Sequence, residues 1–192
     1  VPVGFTIKLD DRALTLALAN VKNGVPRAVT RAINRTLTTV RAAAAREVAE
    51  DIGVPVRQVT ERMDITKATF NRLAGRIRIS GTRIPLVELR PAGPEPSRGK
   101  GRGVSYSLGG QRRRIHQAFL ATMRSGHRGV FRREPGAGRL PIIELRGPSI
   151  PRVAGKKAIR DAMHTLGLAT LEKNLQHEVA FLRRGVAAGG DS

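Results

Sequence analysis

Between Pro26 and Asp51 apolar residues recur at steps of three and four, and this stripe constrains the fold more than any other feature of the chain. Val29, Ala32, Ile33, Leu37, Val40, Ala44, Val48 and Ile52 fall on one face of an α-helix. About 25 residues at 1.5 Å each make a rod of roughly 38 Å. Gly24-Val25-Pro26 opens it and Gly53-Val54-Pro55 closes it, because Gly suits the position just past a helix and Pro the first turn of the next. A short further helix is expected to reach Met63. Ala42 to Ala45 form a thin stretch that a neighbour can approach closely. Arg27, Arg31 and Arg35 run beside the stripe, either as a solvated face or as a rail along phosphates. Upstream, Val3 to Leu9 alternates as a short strand. Asp10 and Asp11 then cap a helix carrying Leu14, Ala17, Leu18 and Val21.

From Thr66 the period changes. Arg76-Ile-Arg-Ile-Ser80 alternates strictly and predicts a half-exposed strand. Two near-copies follow, Arg83-Ile-Pro-Leu-Val-Glu-Leu-Arg90 and Arg139-Leu-Pro-Ile-Ile-Glu-Leu-Arg146. Pro has no N–H, so each copy reads as an edge strand opened by its proline, with Leu86 to Leu89 extended in the first. Arg and Glu flank the apolar residues as guards of an edge. Residues 91–103 have the Pro/Gly/Ser composition of a flexible loop. Val104 to Leu108 is a strand and Gly109-Gly110 a turn. Ile115, Ala118, Phe119 and Met123 suggest a short helical patch after Arg112–Arg114. A turn at Gly126 to Gly129, a strand from Val130 to Arg133 and a turn over 134–138 lead into the second copy. From about Gly155 to Arg184 a helical stripe returns through Ile159, Met163, Leu166, Leu171, Leu175, Val179 and Leu182, with Gly167 expected to weaken or kink it. Residues 189–192 read as a frayed end. The class is α+β: long N-terminal amphipathic helices and a C-terminal helix packed with a small, mostly antiparallel sheet. The expected organisation is one domain over 1–152, helical to residue 66 and basic and β-rich from 67, followed by the helix and tail of 153–192.

Charge singles out the middle of the chain. The net charge is +20, and residues 67–152 hold 19 basic against 4 acidic side chains. Arg outnumbers Lys 28 to 7, a ratio that GC-rich coding explains as well as function does, whereas the clustering needs an acidic or phosphate partner. The absence of cysteine excludes disulfides, thiolate nucleophiles and sulfur-held metals, and fits assembly in a reducing cytoplasm. No apolar run approaches the ~18 residues of a membrane span, and the opening residues lack the pattern of an export signal. No membrane partner is expected.

Catalytic patterns are missing. Gly99-Lys100 is followed by Gly101 rather than Ser or Thr, which rules out a P-loop, and Ser149 sits in Gly-Pro-Ser-Ile-Pro rather than a nucleophile elbow. His116, His127, His164 and His177 lack metal-ligand spacing. No enzyme activity, metal or cofactor is expected. Arg112–Arg114 and the 91–103 loop suit non-specific phosphate contact, but 5 Phe and 1 Tyr leave few rings for stacking on single strands.

Arg27-Ala-Val-Thr-Arg-Ala-Ile-Asn-Arg-Thr36, continuing to Val40-Arg41 and Arg46-Glu47, resembles the start of the phage minor tail protein Z family. So do Ala118-Phe-Leu-Ala-Thr-Met-Arg-Ser-Gly-His127, Gly129-Val-Phe-Arg132 and Leu140-Pro-Ile-Ile-Glu-Leu-Arg-Gly-Pro-Ser149, in the family's order over residues 25–152. The resemblance implies a structural virion protein of a long-tailed phage, a minor tail or tail-completion protein acting at the neck where tail meets head. It implies partners among portal, connector or stopper, and tail terminator subunits, with several copies in a ring. Holding the genome end and serving at the tail tip are the alternatives. Docking candidates are Arg83, Arg90, Arg98, Lys100, Arg102, Arg112, Arg113, Arg114, Arg128, Arg132, Arg133, Arg139 and Arg146, with Gly147, Pro148 and Ser149 of the last block. A repeated edge strand or the 91–103 loop is expected to add to a neighbouring ring by strand augmentation.

Overall fold

The apolar stripe becomes the spine of the molecule. A computed structural model describes residues 3–6, 19, 23–95, 103–134, 136 and 140–188. In it, helix α1 spans Gly24–Ile52, and every stripe residue from Val29 to Ile52 is buried. Gly53 ends the helix at φ 87°, donating its N–H to Ala49 O at 2.8 Å, as a left-handed C-terminal glycine does. The short helix α2, Val56–Thr60, stops before Met63, where the sequence placed its end. Met63, 1% exposed, instead opens strand β2, Met63–Thr66, because its side chain is needed in the core.

Strand β1, Val3–Thr6, and strand β3, Arg76–Ile79, join β2 in an antiparallel sheet ordered β1-β3-β2. Val3 and Met63 both register with Ile79. Ile77 and Ile79 are buried while Arg76 and Arg78 are exposed, the alternation expected of a half-exposed strand. The remainder of the predicted Val3–Leu9 strand and the predicted helix after Asp10 lie outside the described residues.

The first repeat departs from expectation. Strand β4 is Arg83–Pro85, so the proline ends a strand instead of opening one, and Leu86–Glu88 form a 3-10 turn. Leu86 and Leu89 are 2% and 1% exposed. Residues three apart lie together on a 3-10 turn but on opposite faces of a strand, so burying both leucines selects the turn.

The Arg112 region departs as well. Strand β5, Val104–Leu108, and strand β6, Gln111–Ile115, form a hairpin closed by Gly109 and Gly110 at φ 56° and 75°, the positive values that a two-residue hairpin turn demands. The expected helical patch is therefore the end of β6 and strand β7, Ala118–Thr122. Ala118 and Leu120, two apart, are the buried pair, which is strand spacing. Strand β8, Arg128–Arg133, lies between β7 and strand β9, Ile142–Glu144. Strand β10, Arg146–Ser149, pairs with β4, Ser149 opposite Arg83 and Arg146 opposite Pro85. The end of one repeat thus closes on the beginning of the other. Among the described residues every strand pair is antiparallel, and the strands are shared among four small sheets.

Helix α3, Ile150–Ala154, leads into helix α4, Lys157–Ala188, which runs antiparallel to α1. Lys156 Nζ lies 2.7 Å from Asp51 Oδ1 at one end, and Asn174 Nδ2 donates to Thr36 Oγ1 at 3.0 Å toward the other. The helix continues through Gly167, which is buried, since packing along α1 outweighs the propensity cost of about 1 kcal/mol for one glycine. One apolar cluster links α1, α3 and α4 with residues of β2 to β5, β7 and β8. The α+β class read from the sequence is the one observed. Among the described residues no helix is long and apolar enough to cross a membrane.

Candidate docking surface

Val104, Tyr106, Leu108 and Ile115 of the β5–β6 hairpin pack toward the core. Cross-strand partners share a face, so the Ser105–Arg114 and Ser107–Arg112 pairs turn the other way. Arg112 is held there: Nη1 donates to Arg90 O at 3.1 Å and Nη2 to Ser105 Oγ at 2.7 Å. Arg113 and Arg114 are exposed. The hairpin acts as a plate whose outer surface carries Arg112 and Arg114, while Arg113, opposite Tyr106, is exposed on the side of the apolar underside.

On the sheet β7-β8-β9, Phe119 registers with Phe131 and Phe131 with Glu144, so the three share a face. The ring centroids of Phe119 and Phe131 are 6.3 Å apart, and the Arg133 guanidinium sits 5.6 Å from the Phe119 centroid, a cation–π contact. Gly129 leaves room for Phe131, since a Cβ there would stand 2.8 Å from that ring's Cζ. Glu144 accepts from His127 Nε2 at 3.0 Å and from Arg146 Nη2 at 3.1 Å.

Burial pushes the Glu144 carboxyl up, but the hydrogen bonds and charges of Arg146 and His127 outweigh it and leave its pKa below the ordinary value of 4.5. A depressed carboxylate contributes stability that is present above its unfolded pKa and is lost as pH falls through its folded pKa. Glu144→Gln should therefore lower stability by about 0.5–1 kcal/mol at pH 7, the range of a partly exposed pair. Urea midpoints of the two proteins should converge as pH falls through the folded pKa of the Glu144 carboxyl. A gap of unchanged size on acidification would refute the assignment.

The docking candidates divide by environment. Arg83, Arg90, Arg113, Arg114, Arg128 and Arg133 are exposed and have no carboxylate partner among the described residues; the same holds for Arg112. Arg132 is half-buried, and its Nε has no hydrogen-bond partner among those residues. Arg146 is engaged by Glu144. Gly147, Pro148 and Ser149 are half-buried in β10, and a Cβ on Gly147 would stand 3.0 Å from Leu89 Cδ1. They serve the joint between the repeats. Arg98, Lys100, Arg102 and Arg139, with most of the 91–103 loop, lie outside the described residues.

Two features escaped the sequence reading. Arg31 and Arg35 are exposed, as a solvated face requires, but they also reach a buried acid: Arg35 Nη1 lies 2.9 Å from Glu178 Oε1, and Arg31 Nη1 3.5 Å from Oε2. Glu178 is 1% exposed on α4. Its position between Leu171, Leu175 and Leu182, in helical register with all three, was the available signal. The other feature is the pair of exposed apolar side chains at the second repeat, Leu140 and Ile143. Among the described residues no group of three or more His, Cys, Asp or Glu could hold a metal ion.

Residues 11–187 match the model of a family described as prophage minor tail protein Z, extending beyond the blocks recognised over 25–152 and along α4. A curated relative, the "Tail completion protein" of Escherichia phage N15, is 30% identical over 135 residues, which cover 69% of this chain and 71% of the relative. No solved structure matches the chain.

Proposed function

Because the chain belongs to the prophage minor tail protein Z family, we propose that it completes the tail of a long-tailed phage at the neck, docking its basic β-rich segment onto ring-forming subunits. The carrying observation is the set of exposed arginines on β4, β6 and β8 that no carboxylate of the described fold neutralises. Guanidinium groups left unpaired in the free protein await an acidic surface, and charge complementarity steers approach and fixes orientation. The helical pair α1–α4 is the rigid support on which the plate is mounted. The proposal gives the chain no catalytic role.

Charge reversal tests it. Arg112→Glu, Arg113→Glu and Arg114→Glu together should lower incorporation into particles about 100-fold, since like charges facing each other cost several kcal/mol. Normal incorporation of the folded triple variant would refute docking through this surface. The same arginines support a second reading, contact with the genome end. It predicts duplex binding by the purified protein that falls steeply as salt rises.

A further inference from the structure

The two repeats share a sequence but differ in burial, although Ile142 of the second is half-buried and Leu145 packs against the core. In the first, Ile84, Leu86 and Leu89 are 5%, 2% and 1% exposed. In the second, Leu140 and Ile143 are 70% and 46% exposed, on and beside β9, the last strand of its sheet. Natural edges are guarded by charge or proline, so large apolar side chains on an edge mark a surface meant to be covered.

The backbone is ready for that cover. Leu145 N–H donates to Val130 O at 2.8 Å and Glu134 N–H to Pro141 O at 3.4 Å. These bonds set the phase of the antiparallel ladder: the Pro141 carbonyl, the polar groups of Ile143 and the Leu145 N–H face β8, the Leu145 carbonyl accepts from Leu86 N–H at 3.3 Å, and Ile142 and Glu144 turn their polar groups outward. Among the described residues no strand pairs with that outer side.

Charge selects the occupant. Arg132 and Arg133 stand opposite Ile143 and Ile142, with exposed Arg128 on the same strand, while Arg146 after β9 is already engaged by Glu144. A second copy of the chain would bring two such cationic sheets side by side, and like-charge juxtaposition opposes self-pairing. We propose that β9 is the docking strand, and that its free edge takes up an extended segment of a different particle subunit, apolar at its centre and acidic at its flanks, as an added strand. This rests on the docking reading above and names the element within it that makes the bond.

The test uses the full chain and particles of its own phage assembled without it. Ile143→Lys places on the edge the residue that natural edges use as a guard, at an exposed position where the fold tolerates it. Incorporation should fall about tenfold or more, the worth of one buried isoleucine contact, while the urea midpoint stays near wild type. Should that variant misfold, Leu140→Lys repeats the test at a more exposed site. A photo-crosslinking residue at position 143 should join an extended acidic-flanked segment of a particle subunit. Amide exchange at Ile142 and Glu144 should slow only in the particle.

Equal incorporation of wild type and Ile143→Lys would overturn the β9 assignment and leave neck docking standing. A crosslink to another copy of this chain would overturn the choice of occupant. Failure of wild type itself to join the particles would overturn the docking reading, and this inference with it.

Discussion

Replacing Arg31 and Arg35 together with alanine should destabilise the protein by about 3–5 kcal/mol, the cost of leaving a buried charge without its partners. Neither oxygen of Glu178 has a hydrogen-bond partner among the described residues, so the carboxylate is held by proximity to charge alone. After the double replacement His177 Nδ1, 4.0 Å from Oε1, is the basic group still in reach. The converse change should cost far less. Arg31 and Arg35 side chains are 43% and 55% exposed, so in Glu178→Gln both guanidinium groups turn to water, and a loss of about 1 kcal/mol is expected. Glu178→Leu should be neutral or stabilising, as is common when a buried ionic group gives way to an apolar one of similar size. Urea unfolding of the variants reads this asymmetry directly. Equal losses on removing the acid and removing the bases would contradict the clamp.

Leu37→Ala should cost about 2–5 kcal/mol, because Leu37 is fully buried at the centre of α1 and its loss opens a cavity. The site carries its own control. A Cβ built on Gly75 would stand 2.3 Å from Leu37 Cδ1 and 3.0 Å from Ile33 Cγ2, so Gly75→Ala alone overpacks the contact at about 1–3 kcal/mol. Combined, the new methyl occupies space that the leucine vacated. The double variant should be more stable than the sum of the single effects predicts, with a coupling of about 1 kcal/mol or more. Strict additivity would mean that residue 75 and α1 are not in contact in solution.

What was legible in the sequence follows from how local each signal is. The α1 stripe and the alternation at β3 are periodic over their own length, so the buried faces of Val29 to Ile52 and of Ile77 and Ile79 could be read directly. Pro85 was ambiguous. It was correctly placed at a strand boundary, but whether the strand came before or after depended on Leu86 and Leu89 both needing the core, a tertiary demand. The stretch from Gln111 to Thr122 failed for a related reason. Its apolar residues fit a helix loosely, and the hairpin partner that makes them strands is contributed by Val104–Leu108 and Arg128–Arg133.

The docking surface was legible only in outline. The clustering of arginines in 67–152 was plain, but their division was not. Arg113 and Arg114 project freely, Arg112 is tied to Arg90 and Ser105, and Arg146 is tied to Glu144. The repeats were read as equivalent edges; among the described residues each strand has one paired side, β4 with β10 and β9 with β8, but Ile84, Leu86 and Leu89 are buried while Leu140 and Ile143 are exposed. Burial is a property of the assembled core, and two identical patterns can fall on either side of it.

A cryo-EM map of the intact phage tests the place of this chain in the particle. Density for it is expected at the head–tail junction, with the exposed arginines of β6 and the free edge of β9 against a ring of other subunits. Density at the distal end of the tail would contradict the neck assignment.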